Sequence, residues 1–124
     1  MFKENSKAIY LQIADRICDD ILAGTLKPGD RLPSVREQAA AVQVNPNTMM
    51  RTYDHLASSE VIFNRRGIGY FLSEDAPEKV REMKRKAIFG DEILSLFRQL
   101  ELLGVDADTL KARYEKFLKY STDK

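Results

Sequence analysis

Asn45, Asn47, Thr48 and Arg51 fall within one short stretch, and Arg65 and Arg66 stand together beside Gly67 and Gly69. Short amides and hydroxyls grouped with a long guanidinium suit the edges of base pairs, which present donors and acceptors in fixed patterns. A guanidinium can also grip a phosphate through two parallel N–H groups, a role open to Arg36, Arg65 and Arg66. Met50 offers only apolar contact, of the kind a thymine methyl accepts. This chemistry is recognition of duplex DNA rather than catalysis. There is no Ser/His/Asp or Cys/His set, no phosphate-cradling glycine loop, and no plausible base other than His55. Cys18 is the lone cysteine and His55 the lone histidine, so neither an internal disulfide nor a zinc cluster can be assembled, and no metal or cofactor is expected.

Several helices must position these groups. Ile9, Ile13, Ile17 and Ile21 recur every fourth residue with Leu22 beside the last, predicting a helix from Ala8 to Ala23 that buries one face and stops at Gly24. Lys27-Pro28-Gly29-Asp30 reads as a turn. Ser34-Val35-Arg36-Glu37 has the spacing of a capping box, predicting a second helix to about Val42. Arg36 then lies in the first turn of a helix, where an anion is already favoured, although pairing with Glu37 or Asp54 is an alternative.

Asn45-Pro46 reads as an N-cap followed by proline at the first helical position, so a third helix starts almost at once. Its apolar face is Met49, Thr52, Tyr53 and Leu56, which turns Asn47, Thr48, Met50, Arg51 and His55 outward. Val61–Asn64 and Tyr70–Leu72 read as strands joined by a glycine-bearing tip, Arg65–Gly69. Two close helices and a basic hairpin form the outline of a winged helix-turn-helix. The second helix of such a pair lies in the major groove, and the arginines of the hairpin tip contact the adjacent backbone or minor groove.

The 124 residues carry a formal net charge of +1 with 31% charged side chains, so local placement rather than total charge must argue for a nucleic-acid partner. No apolar run spans a bilayer and the start lacks a signal-peptide pattern, so a soluble cytoplasmic protein with no membrane partner is expected. After Ser73, helix to about Leu103 with a break at Gly90, then a last helix from Ala107 to Tyr120, are expected. The apolar faces of this tail exceed what a helical hairpin covers. A homodimer burying Ile93, Leu94, Phe97, Leu100, Leu110, Tyr114 and Phe117 is the expected answer. So short a tail was expected to leave little room for a ligand pocket of about 300 Å³ within one subunit.

The stretch from Ile9 to Leu72, with its LPS-x-R, VNPNT and RRG-x-G elements, resembles the winged-helix DNA-binding domain of the GntR family of bacterial regulators. The VNPNT element with a short helical tail resembles the YtrA-like subfamily. The resemblance implies a repressor that binds an inverted-repeat operator as a homodimer through its tail, and control of a transporter operon. It departs from the family at Pro46 and Met50, where arginines are frequent, at Ile68, where a basic residue is common, and at Glu60, where glycine is usual.

Together these readings give a mainly α fold with a small β-hairpin. Residues 1–74 form a DNA-binding domain and residues 75–124 a dimerisation tail. The DNA-contacting candidates are Ser34, Arg36, Asn45, Asn47, Thr48, Met50, Arg51, Arg65, Arg66, Gly67 and Gly69. The competing reading is a protein-interaction module built on the same exposed helical faces. Operator sequence, any small-molecule effector and the sign of regulation are not written in the residues.

Overall fold

The computed structural model describes residues 7–122, and the chain divides into two units between Lys84 and Arg85. In the N-terminal unit, α1 (Ile9–Ala23), α2 (Val35–Val42) and α3 (Pro46–Ser58) are followed by an antiparallel hairpin of β1 (Ile62–Arg65) and β2 (Gly69–Leu72), then by α4 (Ala76–Ile88), which runs past the division. This is a mainly helical, winged helix-turn-helix architecture. Each start follows from local chemistry. Ser34 and Glu37 form both halves of the capping box at α2, and Asn45 caps α3 with Pro46 in its first turn.

Four helix ends share one closure, in which an amide just past the helix donates to the carbonyl five residues back. Thr25 N–H donates to Asp20 O at 3.0 Å, Val44 to Ala39 O at 3.0 Å and Val61 to Leu56 O at 3.0 Å. Val105 repeats the pattern on Leu100 O at 2.9 Å, after α5 (Asp91–Leu102). The residue before each donor must take positive φ, which Gly24 (84°) and Gly104 (74°) do freely. Gln43 (62°) and Glu60 (63°) do it with a side chain. The helix at Glu60 therefore ends as a glycine would end it, and the Glu60 carboxylate ion-pairs with Lys79 at 3.0 Å.

The core of this unit gathers Ile13, Ile17 and Ile21 of α1, Leu32, Met49, Tyr53 and Leu56 of α3, Val61, Ile62 and Leu72, with Ala76 and Val80 from the first turns of α4. One expected core member is out of place, since Ile9 is 54% exposed. A four-residue step overshoots a helical turn by about 40°, so three such steps carry Ile9 about 120° away from Ile21 around the helix. Val61 also falls outside the strand it was expected to open, its amide being used to close α3, while Arg65 and Gly69 join the ladder as a pair.

Beside β2 the chain from Gly29 to Leu32 adds a short third rung. Gly29 N–H donates to Leu72 O at 2.9 Å, Leu72 N–H to Asp30 O at 2.8 Å, and Leu32 N–H to Tyr70 O at 2.8 Å. Arg31 thereby faces Phe71 in an isolated bridge. A two-stranded ribbon alone is marginal in water, so this edge supports the hairpin.

In the C-terminal unit, α5 buries none of its residues completely. α6 (Ala107–Thr122) starts where the Asp106 carboxylate accepts from Thr109 N–H at 2.8 Å, a contact that holds this carboxyl below its usual range. Helix does break at Gly90, where a Cβ would stand 3.2 Å from the Ala87 carbonyl oxygen. An open surface groove of about 420 Å³ lies along Leu94, Phe97, Leu100, Val105 and Leu110. No helix among the described residues is long and apolar enough to cross a membrane.

Tyr53 is fully buried and its hydroxyl donates to the Pro33 carbonyl at 2.7 Å. Burial pushes its phenol from 10.0 up to about 12. Tyr53→Phe, which orphans that carbonyl, should lower the unfolding free energy in urea by about 1 kcal/mol. The unfolded chain sheds the Tyr53 proton first as pH rises, so this stabilisation is complete below pH 10 and lost as pH climbs through the folded value near 12. Urea midpoints of wild type and Tyr53→Phe should therefore converge in alkali, and a constant gap across that window would refute the assignment.

Candidate nucleic-acid interface

α3 divides its residues sharply. Met49, Thr52, Tyr53 and Leu56 are completely buried, while Asn45, Asn47, Met50 and Arg51 are exposed and Thr48 and His55 half-buried. Thr52 is polar, yet its hydroxyl donates to Tyr10 O at 2.8 Å and so is satisfied within the core. The buried side of α3 is thus held to α1, and the opposite side is exposed.

Asn45 Oδ1 accepts from Asn47 N–H at 2.7 Å, which ties the cap to the first residue expected at base edges. Arg51 lays its guanidinium over the Tyr10 ring, 4.2 Å from the centroid. The same ring meets His55 edge-on at 6.2 Å. A cation on an aromatic face is steadied without losing its N–H donors. Met50, 41% exposed, is an apolar side chain on this otherwise polar face.

Ser34 Oγ accepts from Glu37 N–H at 3.1 Å, and Glu37 returns a carboxylate oxygen to Ser34 N–H at 2.9 Å. That reciprocal contact holds the Glu37 carboxyl below its usual range, with help from the charge of Arg31. Glu37 is thus turned toward Ser34, and Arg36 is exposed and forms no ion pair among the described residues. The alternative pairing of Arg36 with Glu37 or Asp54 is not formed. Lys84, part of the basic Lys84-Arg85-Lys86 run, is engaged with Asp19 at 3.2 Å.

At the hairpin tip, Arg65, Arg66, Gly67 and Ile68 are all exposed. Ile68 N–H donates to Arg65 O at 2.8 Å, closing the turn. Gly67 and Gly69 take φ of 79° and 139°, values a side chain would strain. Arg65 lies 5.4 Å from the Phe71 ring centroid. Tyr53 joins the parts, because its ring meets Tyr70 of β2 at 5.0 Å while its hydroxyl holds Pro33 just ahead of α2. One side chain of α3 therefore touches both the hairpin and the approach to α2.

Two residues of this face escaped the sequence reading. Tyr10 stands beside the apolar stripe of α1, and nothing in its local spacing marks it out from its neighbours. Arg31 follows the Lys27–Asp30 turn, and its partner is Ile68, 37 residues away, which no local pattern reveals.

A family model described as "Bacterial regulatory proteins, gntR family" matches residues 9–72. The chain is 44% identical over 108 residues to the HTH-type transcriptional regulator YhcF of Bacillus subtilis, covering 86% of this chain and 87% of that one. It is 36% identical to the HTH-type transcriptional repressor YtrA of the same organism, over 86% of this chain and 81% of that protein. A crystal structure described as a transcriptional regulator of the GntR family from Bacteroides thetaiotaomicron superimposes with a TM-score of 0.82 at 45% identity, covering 92% of this chain and 99% of that one.

The Asn45 cap supplies a direct test of how the outward face is held. Asn45→Ala should cost about 1 kcal/mol, while Asn45→Asp and Asn45→Ser, which keep an acceptor, should recover most of it. Chemical denaturation of the three variants reads this out, and an alanine variant as stable as wild type would contradict it.

Proposed function

Since the chain belongs to the GntR family of bacterial regulatory proteins and is a DNA-binding transcriptional regulator, we propose that it is a cytoplasmic repressor acting as a homodimer on an inverted-repeat operator. The observation that carries this reading is the exposed polar face of α3, backed by a fully buried opposite face. Asn47 and Thr48 read base edges, Met50 meets a thymine methyl, and Arg51 reaches a base or phosphate from its place on Tyr10. Ser34 and Arg36 bind the phosphates flanking the groove at the start of α2, with Asn45 capping the reading helix. Arg65 and Arg66, on the turn formed by Gly67 and Gly69, follow the neighbouring strand or minor groove.

Residues 1–74 carry the DNA contacts and residues 75–124 the dimer contact. Leu94, Phe97, Leu110, Tyr114 and Phe117 are exposed in the single chain, and Ile93 and Leu100 are half-buried. So much apolar surface on two helices supports a second copy as its cover. Likeness to the repressor YtrA supports a repressive sign, and control of a transporter operon is the expected target class.

Selection of sites from random duplex DNA should return an inverted repeat with half-sites about one helical turn, or a simple multiple, apart. Enrichment without two-fold symmetry would exclude the dimeric operator. With the recovered site, Arg65→Ala/Arg66→Ala should lower the slope of affinity against salt by about two units. Asn47→Ala should relax the preference at one base position by about 1–3 kcal/mol. Phe97→Glu should give monomers in sedimentation and weaken operator binding, and a dimer of undiminished affinity would remove the tail from that role.

A further inference from the structure

Arg31 connects the approach of α2 to the tip of the hairpin. Its backbone bridges to Phe71, and its Nη2 donates to the Ile68 carbonyl at 2.7 Å. The guanidinium lies along Gly69 so closely that a Cβ there would stand 3.2 Å from Nε and 3.4 Å from Nη2. Its charge also reaches the Glu37 carboxylate of the α2 capping box.

The tip is consequently held from two sides. Ile68 N–H is tied to Arg65 O inside the turn and Ile68 O is tied to Arg31 outside it. The ladder below has only four residue pairs, ending at Arg65 and Gly69, and such a short ribbon would fray at this end without the outside tie. Gly69 is accordingly needed twice, for its φ of 139° and for the room it leaves the guanidinium.

We propose that Arg31 is a positioning residue for the hairpin tip: it presets the height of Arg65 and Arg66 beside α3 before DNA arrives. The advantage is preorganisation, because a tip ordered in the free protein loses less freedom on binding. Arg31 acts through the tip and not through a phosphate of its own. The proposal rests on the reading that the hairpin touches DNA.

The test is a double-mutant cycle on one duplex from the selected pool, with thermal unfolding followed for every variant. Arg31→Met alone should weaken binding about fivefold, the size of one exposed charge-assisted hydrogen bond. In the Arg65→Ala/Arg66→Ala background the same change should matter less than about twofold, since its route of action is already gone. Arg31→Lys, which keeps a donor and the charge, should recover most of the affinity. Hydroxyl-radical cleavage should rise only at the outer, hairpin-facing positions, while guanine N7 protection beneath α3 stays unchanged.

A further fivefold loss in the tip-alanine background, with a salt slope about one unit shallower, would mean that Arg31 binds phosphate directly and would overturn the proposal. Full affinity for Arg31→Met would overturn it too, as would equal binding by the Lys and Met variants. If Arg65→Ala/Arg66→Ala itself binds like wild type, the hairpin reading fails and this inference fails with it. If only the Arg31 variants are silent, the inference alone fails.

Discussion

Tyr53 has no exposed surface, and three parts of the N-terminal unit converge on it. With Met49, Thr52 and Leu56 it takes the buried face of α3, which leaves Asn47, Met50 and Arg51 toward solvent. Its ring packs edge-to-face on Tyr70 and so fixes a strand of the hairpin to the reading helix. Its hydroxyl satisfies the Pro33 carbonyl, the last before the α2 cap. Spacing between α3 and the basic tip is thus set inside the core, and the exposed side chains of α3 can vary without disturbing it.

What could be read in advance was whatever the chain decides locally. Ser34 with Glu37, Asn45 with Pro46, and Gly24 after Ala23 each announce an end of a helix within a few residues, and the structure places those ends accordingly. Apolar runs and glycines located the hairpin, but not its first residue, because Val61 is claimed by the closure of α3. Ile9 misled because a strict four-residue spacing looks like a stripe while it drifts around the helix. Tyr10 and Arg31 were invisible for a different reason. Their partners, Arg51 and Ile68, lie on other elements, and only the folded chain brings them together.

The two units differ in how they satisfy themselves. The N-terminal one closes a core around α3, and its buried hydroxyl and phenol all have partners. The other has a helix, α5, with no completely buried residue, and Leu102 and Leu103 are 85% and 76% exposed. Capping by Asp106 and the closure at Gly104 define its helices well. Hydrophobic cover is what it lacks within the single chain, and the proposed dimer rests on that surface.

The shared closure of α1, α2, α3 and α5 bears on how this sequence can drift. Two of the four positive-φ positions are glycine, but Gln43 and Glu60 carry side chains in a region that costs L-residues about 1–2 kcal/mol. Backbone geometry therefore limits change at both positions, and at Glu60 the ion pair with Lys79 adds a side-chain constraint. Glycine and asparagine are the admissible replacements, and valine or isoleucine would be purged. Across a lineage, these two sites should keep their backbone shape while their side chains change.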